Sequence, residues 1–542
     1  MSALDARLPP RVQRRRGRRT VVVIADRRSQ VKQLQIERSP WAGTRVVTIV
    51  GRSLSEMHDD LAALSEVGVV LDVRPSSGRQ QLEAFRTGFF HLGPGDAWVA
   101  LREPGLARGS EPLVRLARKL RKPDVRREPD QPWRPLARAV ARVKVAPDLV
   151  MIVKKQKHLL RLREDGALPL LRSREPGLRV TQLAQLDAGV LDVGHRTTDY
   201  GRVVPAPQVP DMLPFPVHTV RRYEGHVHLP RGSLTHHRRT ALPDSFRWHL
   251  APELHSFGLR NVDRHFGRLW TKPTGEALEG SYFLFLYNNP GHFGHLMTEA
   301  LSKLWGWWPA KAADPSLKIL CRLHPVREET PESRAEATLL PAFGIAREDI
   351  VWVDGPVSVT SLVGCTPMWH NAPPFYVHPG IVDTWDRIRT GLVGDGPVAG
   401  ASRIFVTRQA GNRPCSNVDQ VERLFLAHGF TIVSPQDLSI PEQVATFAAA
   451  RVVAGFGGAG MFNLVYAHQV ETVIVLNHWA YEARNEHLFA AVHGAQLHSF
   501  WSPPHVDHPP GGSSYDAHQS GWSFDVEHLE RPMHALLESL PD

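Results

Sequence analysis

The distribution of apolar and polar positions between residues 401 and 476 predicts an alternation of strands and helices. Four short apolar runs have the length and composition of buried strands: Ile404–Val406, Thr431–Val433, Arg451–Ala454 and Thr472–Leu476. Segments with helical spacing separate them. Strands that alternate with helices in this way are typical of a doubly wound unit with a parallel sheet.

The helix starts in this stretch carry local signals. Amphipathic spacing over residues 418–428 predicts one helix. Ser439 stands three residues ahead of Glu442, with Pro441 between them, which predicts a capping box with proline in the first turn. The second helix is expected to run to about Ala450. Both helices would then connect neighbouring parallel strands.

Basic and glycine residues follow two of these strands. Arg408 and Arg413 come after the first strand, and a glycine loop at residues 455–460 comes after the third. Ligands of doubly wound units bind at the carboxyl ends of the strands, where a glycine loop lets an anion approach a helix N-terminus. Because guanidinium groups suit phosphate, we expect a nucleoside diphosphate site. The alternative is a tight glycine turn beside solvated arginines.

The order of short motifs in this block resembles the C-terminal half of glycosyltransferase family 61. The matching motifs are Thr407-Arg408, Arg413 to Asn417, Gly429-Phe430, Leu438 to Gln443 and Gly455 to Asn463. Gly457 and Phe462 stand where the family has histidine and threonine. The resemblance implies an inverting transfer from a nucleotide sugar, UDP-linked in other members. It assigns donor binding to nine residues: Arg408, Arg413, Asn417, Ser439, Gly457, Gly458, Ala459, Gly460 and Asn463.

A second candidate site lies near residue 295. The apolar run at 281–287 predicts a strand, residues 288–294 its following loop, and residues 295–308 a helix. Four residues separate His295 from Glu299, which places both on one face near the helix N-terminus, where the dipole favours a carboxylate. Family 61 has a similar motif, although His292 here replaces its asparagine. We expect His295 and Glu299 to supply the base; a purely structural pair is the alternative.

The N-terminal part of the chain predicts a separate α/β domain. Strand patterns at 20–25, 46–50, 67–73 and 97–101 alternate with helical ones. The segment from Phe89 to Val99 resembles the late helix, loop and strand of Rossmann-like methyltransferases. No glycine loop follows the first strand, so a scaffold or docking role is favoured over a small-molecule site.

The chain has 542 residues, too many for one hydrophobic core. We predict an α/β protein with two facing Rossmann-like lobes, GT-B-like, and an extra N-terminal α/β domain. The predicted divisions are a basic arm (1–19), a small α/β domain (20–105), an Arg/Pro-rich linker or subdomain (106–214), an acceptor-side lobe (215–395), a nucleotide-sugar lobe (396–505) and a C-terminal tail with a helix (506–542).

The formal net charge of +10 is unevenly distributed. One concentration is the arm, whose arginines are Arg11, Arg14, Arg15, Arg16, Arg18 and Arg19; a second runs from Arg115 to Arg163. Such runs are usually solvated. One alternative is peripheral contact with an anionic membrane surface or an acidic glycan. Nucleic-acid binding is the other, and it is disfavoured because aromatic residues do not alternate with the basic ones.

Three scattered cysteines and the absence of a long apolar run or a signal-peptide pattern predict a cytoplasmic protein, with possible attachment at the inner face of the plasma membrane. The predicted function is glycosyl transfer from a nucleotide sugar to a glycan or glycolipid. No cofactor or metal is expected, since arginines would neutralise the leaving diphosphate and there is no Asp-x-Asp motif. A degenerate glycan-binding scaffold and an N-terminal methyltransferase are the alternatives.

Overall fold

The computed structural model describes residues 20–34, 44–75, 79–102, 111–122, 133–194, 196–270, 275–324, 329–408, 411 and 413–541. The basic arm at 1–19 lies outside these residues. The described chain is an α/β protein, as the sequence predicted, and it contains three large sheets. None of its described helices combines the length and the apolar character that a membrane crossing needs.

Six strands form the N-terminal sheet: β1 (Thr20–Ala25), β2 (Val46–Val50), β3 (Val67–Asp72), β4 (Ala97–Leu101), β5 (Val140–Val145) and β6 (Leu149–Lys154). Their order is β2-β1-β3-β4-β6-β5. The first four are parallel, whereas β6 is antiparallel to both β4 and β5. The segment assigned to a linker or subdomain therefore completes this sheet.

Buried polar side chains occupy the carboxyl end of β3. Arg74 pairs with Asp72 at 2.9 Å, and both are buried. Gln81 donates to the carbonyl oxygens of Arg74 and Leu101 at 2.7 and 2.8 Å. A doubly wound sheet binds its ligands at this end, so these internal contacts favour the scaffold role for the N-terminal domain.

A mixed eleven-stranded sheet occupies the centre of the molecule. The next strands along the chain are β7 (Leu159–Arg161), β8 (Arg179–Leu186), β9 (Gly189–Asp192), β10 (Thr197–Tyr200), β11 (Met212–Phe215), β12 (His218–Leu229), β13 (His236–His237), β14 (Thr240–Ala241), β15 (Leu259–Asn261), β16 (Phe266–Leu269), β17 (Glu276–Leu284), β18 (Lys318–Arg322), β19 (Ile350–Val353) and β20 (Val357–Cys365). The central order is β15-β16-β7-β14-β13-β12-β20-β17-β18-β19, and β8 pairs with β12.

The C-terminal sheet is entirely parallel. The remaining strands are β21 (Trp369–His370), β22 (Tyr376–Val377), β23 (Arg403–Val406), β24 (Thr431–Val433), β25 (Val452–Phe456), β26 (Thr472–His478) and β27 (Gln496–Ser502). The order is β10-β27-β26-β25-β23-β24, which agrees with the predicted doubly wound unit. β10 comes from the segment 106–214, so that segment contributes to all three sheets. The domain boundaries themselves stay a prediction.

Helices connect and cover these sheets. The described α-helices are Arg28–Gln33, Leu54–Ala62, Gln80–Gly88, Pro112–Lys119, Arg134–Ala139, Ala167–Arg174, Phe293–His295, Trp307–Ala313, Glu336–Phe343, Ile381–Val393, Val418–Ala427, Ile440–Ala449, Asn485–His493, Tyr515–His518 and Val526–Ser539. The predicted capping box is present, because Ser439 and Glu442 exchange side-chain hydrogen bonds with each other's backbone. Proline occupies the first turn of that helix, as predicted.

The central and C-terminal sheets share one hydrophobic core. It contains Phe283 and Met297 from the central part together with Val406, Val433 and Phe462 from the C-terminal part. At the contact, a Cβ added to Gly294 would lie 2.9 Å from the Phe462 ring, so glycine permits this approach. The two units meet directly beside the predicted catalytic pair. Their classification as a GT-B arrangement stays a prediction.

Candidate active site

A cleft of about 910 Å³ lies between the central and C-terminal units. His295 lines it from one side, and Arg408, Arg413, Ala459, Gly460 and Asn463 line it from the other. None of the described lining residues is aspartate or glutamate, whereas three are arginines. The cleft therefore presents positive charge to a ligand, which suits an anion.

The segment that carries His295 and Glu299 is helical but irregular. One α-turn at Phe293–His295 leads into a π-turn at Leu296–Ala300, a 3-10 segment at Leu301–Gly306 and an α-helix at Trp307–Ala313. The sequence predicted one regular helix over 295–308. A π-turn is a rare interruption that is frequent at functional sites, and here it contains Glu299.

His295 and Glu299 are in contact, as their spacing predicted. The distance between His295 Nδ1 and Glu299 Oε2 is 3.0 Å. The other carboxylate oxygen accepts the N–H of Asn288 at 3.0 Å. Only 2% of the Glu299 side chain is exposed, against 23% for His295. The histidine is therefore accessible from the cleft, and the carboxylate lies behind it.

The pKa of Glu299 lies below its ordinary value. Burial by itself raises this pKa, but the hydrogen bond from His295 and the positive charges of Arg247 and Lys303 outweigh it. From the sequence, the helix dipole was expected to keep Glu299 ionised. The structure shows a hydrogen bond and nearby cations as further causes. At neutral pH, Glu299 is a carboxylate that can accept Nδ1–H of His295.

Arg247 is the third member of this group, and the sequence did not identify it. Its Nη1 lies 3.0 Å from His295 Nδ1, and its Nε lies 4.0 Å from Glu299 Oε2. An arginine only donates and a carboxylate only accepts, so His295 Nδ1 can serve one of them at a time. When Nδ1–H donates to Glu299, the lone pair of neutral His295 is on Nε2.

On the opposite side, Arg408 and Arg413 lie against the glycine loop. Arg408 donates to the carbonyl oxygen of Gly457, and the guanidinium of Arg413 lies 4.5 Å above the Tyr481 ring. Burial and then the neighbouring Arg413 lower the pKa of Arg408 to about 10, which still leaves it protonated at neutral pH. The predicted arginine pair is therefore assembled.

Gly458 is a position that only glycine fits. Its φ is 140°, and an added Cβ would lie 2.2 Å from Arg408 Nη2 and 2.9 Å from Arg413 Nη2. Its N–H donates to Glu486 Oε1 at 2.6 Å, so this N–H is already used within the protein. Ala459 and Gly460 open the 3-10 helix Ala459–Tyr466 and line the cleft, so they are the remaining candidate backbone donors.

The other predicted donor-site residues divide into two groups. Asn463 lines the cleft and donates to Gln443 Oε1 at 2.9 Å. Asn417 is engaged elsewhere: its side chain bonds the backbone N–H and carbonyl of Phe524 at 2.8 and 3.1 Å. Ser439 caps its helix. Neither Asn417 nor Ser439 lines the described cleft: Asn417 is held by the distant Phe524 backbone, and Ser439 is used in its own helix cap.

Gly457 has no space for the family's histidine. A Cβ at this position would lie 2.5 Å from Asn477 Nδ2. Asn477 is buried, and its Oδ1 accepts the N–H of His478 at 2.9 Å. The asparagine at the end of β26 therefore occupies the volume into which a side chain at 457 would point.

We expect Gly457→Ala to lower the free energy of unfolding by about 1–3 kcal/mol, because the added methyl overpacks this site. Urea unfolding of the single variant, of Asn477→Ala and of the double variant measures the coupling. In the double variant, Asn477→Ala should recover part of the loss. Simple additivity of the two single losses would contradict the assigned contact.

Several cleft residues were missed by sequence reasoning. Besides Arg247, they include Trp248, Asn371, Tyr481, Asn485, Tyr515, His518 and Gln519. Tyr481 to Asn485 follow β26 directly, so the carboxyl-end rule could have identified them. Residues 515–519 fall in the segment interpreted as a tail and carried no comparable signal.

Trp248 begins a polar chain across the cleft. Its Nε1 donates to Asn371 Oδ1 at 2.9 Å, and Asn371 Nδ2 donates to Asn485 Oδ1 at 2.7 Å. The indole remains 38% exposed and follows Arg247 in the chain. An exposed aromatic ring that is fixed by such bonds beside His295 can serve as a platform for a sugar ring.

Comparison with known proteins agrees with the motif order. The glycosyltransferase 61 family model matches residues 293–475. No curated protein matches the chain. Among solved structures, the mycinamycin-pathway methyltransferase MycE with Mg, SAH and mycinamycin VI has 12% identity, and its Mg and SAH complex has 13%. Both have a TM-score of 0.20.

The methyltransferase alignments cover 25% and 26% of this chain and 44% and 47% of those chains. The chain thus spans less than half the length of these structures, and at this score the likeness carries no conclusion. The family match, in contrast, includes His295, Glu299, Arg408, Arg413 and the glycine loop. Over residues 293–475, the chain is therefore similar to the glycosyltransferase 61 family.

Proposed function

We propose that this protein is an inverting glycosyltransferase that moves a sugar from a nucleoside diphosphate sugar, UDP-linked, to a hydroxyl of a glycan or glycolipid. The observation that carries the proposal is the arrangement of the cleft. An accessible histidine backed by a buried carboxylate faces two arginines and the start of a 3-10 helix. Base and anion site are the two elements that such a transfer needs.

In the proposed reaction, Nε2 of His295 takes the proton of the acceptor hydroxyl. The acceptor oxygen then forms a bond to the anomeric carbon, while the bond from that carbon to the diphosphate oxygen breaks with its electron pair. Glu299 holds Nδ1–H and stabilises the imidazolium that forms, as the carboxylate does in other histidine bases. Nucleoside diphosphate leaves from the face opposite to attack.

Arg408 and Arg413 neutralise the departing diphosphate in this proposal. Both guanidinium groups lie at Gly458, and the N–H groups of Ala459 and Gly460 add donors at the same place. Because the protein supplies this positive charge, we propose that transfer needs no metal. Turnover in the presence of EDTA tests that part of the mechanism.

UDP at 100 times its dissociation constant should add about 2.7 kcal/mol to the free energy of unfolding, since it binds the folded state only. A thermal-shift series with UDP, other nucleoside diphosphates and uridine measures this. Arg451→Ala, an exposed arginine outside the cleft, is the matched control for Arg413→Ala. Only Arg413→Ala should weaken the shift.

Absence of a shift with every nucleoside diphosphate at millimolar concentration would contradict the donor site. Glycan binding without any turnover would instead favour the scaffold alternative. Contact with an anionic membrane surface and the cytoplasmic location stay predictions.

A further inference from the structure

A second cluster of chemically active side chains lies outside the cleft. The helix Val418–Ala427 ends at His428, which faces His534 and Glu538 on the C-terminal helix Val526–Ser539. One atom from each of these three side chains lies within 4.8 Å of the others. His534 and Glu538 are four residues apart, so they share one face of their helix. None of the three lines the cleft.

The distance between the two imidazole nitrogens, which is also a hydrogen-bond distance, suits two ligands of one metal ion. His428 Nδ1 donates to the carbonyl oxygen of Leu424 at 2.8 Å, which leaves the lone pair of neutral His428 on Nε2. This Nε2 lies 3.3 Å from His534 Nδ1. Two nitrogens bound tetrahedrally to zinc at about 2.0–2.1 Å stand about 3.3–3.4 Å apart, which agrees with this distance. The bond to Leu424 is the outer-shell contact that orients metal-binding histidines.

The charges around the cluster are mixed. The adjoining surface groove is lined by Glu530, Arg531, His534, Ala535 and Glu538. Arg403 also approaches, but its Nη1 donates to the backbone carbonyl of His428 at 3.2 Å. A divalent cation would be bound by the charged carboxylate of Glu538. The same groove holds a second carboxylate, Glu530, and one guanidinium, that of Arg531, so its charge is net negative.

We propose that His428, His534 and Glu538 bind a divalent first-row transition metal ion, with zinc as the best match to two imidazoles and one carboxylate. Three protein ligands leave a fourth tetrahedral position for water. The ion would join the end of one helix to the C-terminal helix. That helix follows the segment with Tyr515, His518 and Gln519, which lines the cleft.

The test uses the full, tag-free chain after treatment with EDTA, and zinc sulfate as the probe. Calorimetric titration should give a site with one zinc per chain, and zinc should raise Tm because it binds the folded state. His534→Ala and Glu538→Gln should each raise the Kd at this site more than about 100-fold, since changes of outer-shell partners alone cost about 10- to 100-fold. His468→Ala, at an exposed histidine elsewhere, is the matched control and should leave the Kd unchanged.

Circular dichroism of each variant shows whether it is folded. If His534→Ala does not fold, Glu538→Gln is the decisive variant, because Glu538 lies on the exposed face of its helix. Unchanged zinc affinity in Glu538→Gln, or failure of the unmodified protein to bind zinc, would overturn the site. The readout needs no turnover. A failed transfer assay therefore leaves this inference untouched, and failed zinc binding leaves the proposed function untouched.

Discussion

Replacement of His295 by alanine is expected to lower turnover by about a hundredfold to ten-thousandfold, the range for loss of a positioned base. The loss should appear in kcat, because the imidazole acts on the acceptor proton in the transition state. Tm should fall modestly, because buried Glu299 loses its hydrogen bond from His295, but the variant should stay folded at the assay temperature. A fall in Tm that accounts for the lost activity would instead indicate the structural role for the pair.

Glu299→Gln separates positioning from base chemistry. The amide keeps the size of the side chain but removes the charge that holds Nδ1–H of His295. We therefore expect a lower kcat and an altered pH–rate profile, whereas a purely structural role would leave the profile unchanged. Glu471→Gln, which removes an exposed carboxylate paired with Arg451, is the control. Near-normal turnover in Glu299→Gln would remove Glu299 from the mechanism.

The loss of stability caused by Glu299→Gln should depend on pH in a defined direction. Burial raises the folded-state pKa of Glu299, but His295, Arg247 and Lys303 lower it by more, so it lies below its ordinary value. Its contribution to stability is therefore present above the unfolded-state pKa and is lost as pH falls through the folded-state pKa. Urea unfolding should show the stability difference from the unmodified protein at neutral pH and its decline in acid.

The parallel part of the C-terminal sheet was predictable because its strands are short, continuous apolar runs. β24 has the predicted bounds, and β23, β25 and β26 differ from prediction by a few residues. β10 was not predictable in the same way: its sequence is Thr197-Thr198-Asp199-Tyr200, which has little apolar pattern, and it pairs with β27 far along the chain. Pairing between distant segments leaves no local signal for such an edge strand.

In the candidate site, too, local features were predictable from the sequence and contacts between distant segments were not. The contact between His295 and Glu299 follows from helical spacing, which is a local property. Arg247 reaches this pair from a separate loop, so only the fold brings it there. Asn417 and Ser439 were assigned through the family resemblance, yet Asn417 bonds the backbone of the distant Phe524 and Ser439 caps its own helix. A motif identifies the positions but does not determine where each side chain points.

Arg408→Ala is expected to reduce kcat by about a hundredfold to a thousandfold, the range for removing one donor that stabilises developing negative charge. Loss of the Arg408 bond to Gly457 could also disturb the glycine loop, so Tm is measured beside turnover. Arg451→Ala again provides an exposed, matched control, and its kcat should remain unchanged.

Arg408→Lys distinguishes specific recognition from positive charge alone. A lysine keeps the charge and can still approach the Gly457 carbonyl, but its compact ammonium cannot present two parallel N–H groups to a diphosphate. Arg413 crowds the same place, since both guanidinium groups would lie within 3 Å of a Cβ at Gly458, so a lysine at 408 has little freedom to find a second geometry. We expect kcat of Arg408→Lys to stay close to that of Arg408→Ala. A fully active lysine variant would mean that Arg408 contributes only its charge, and that the planar contact to the leaving group is made by Arg413.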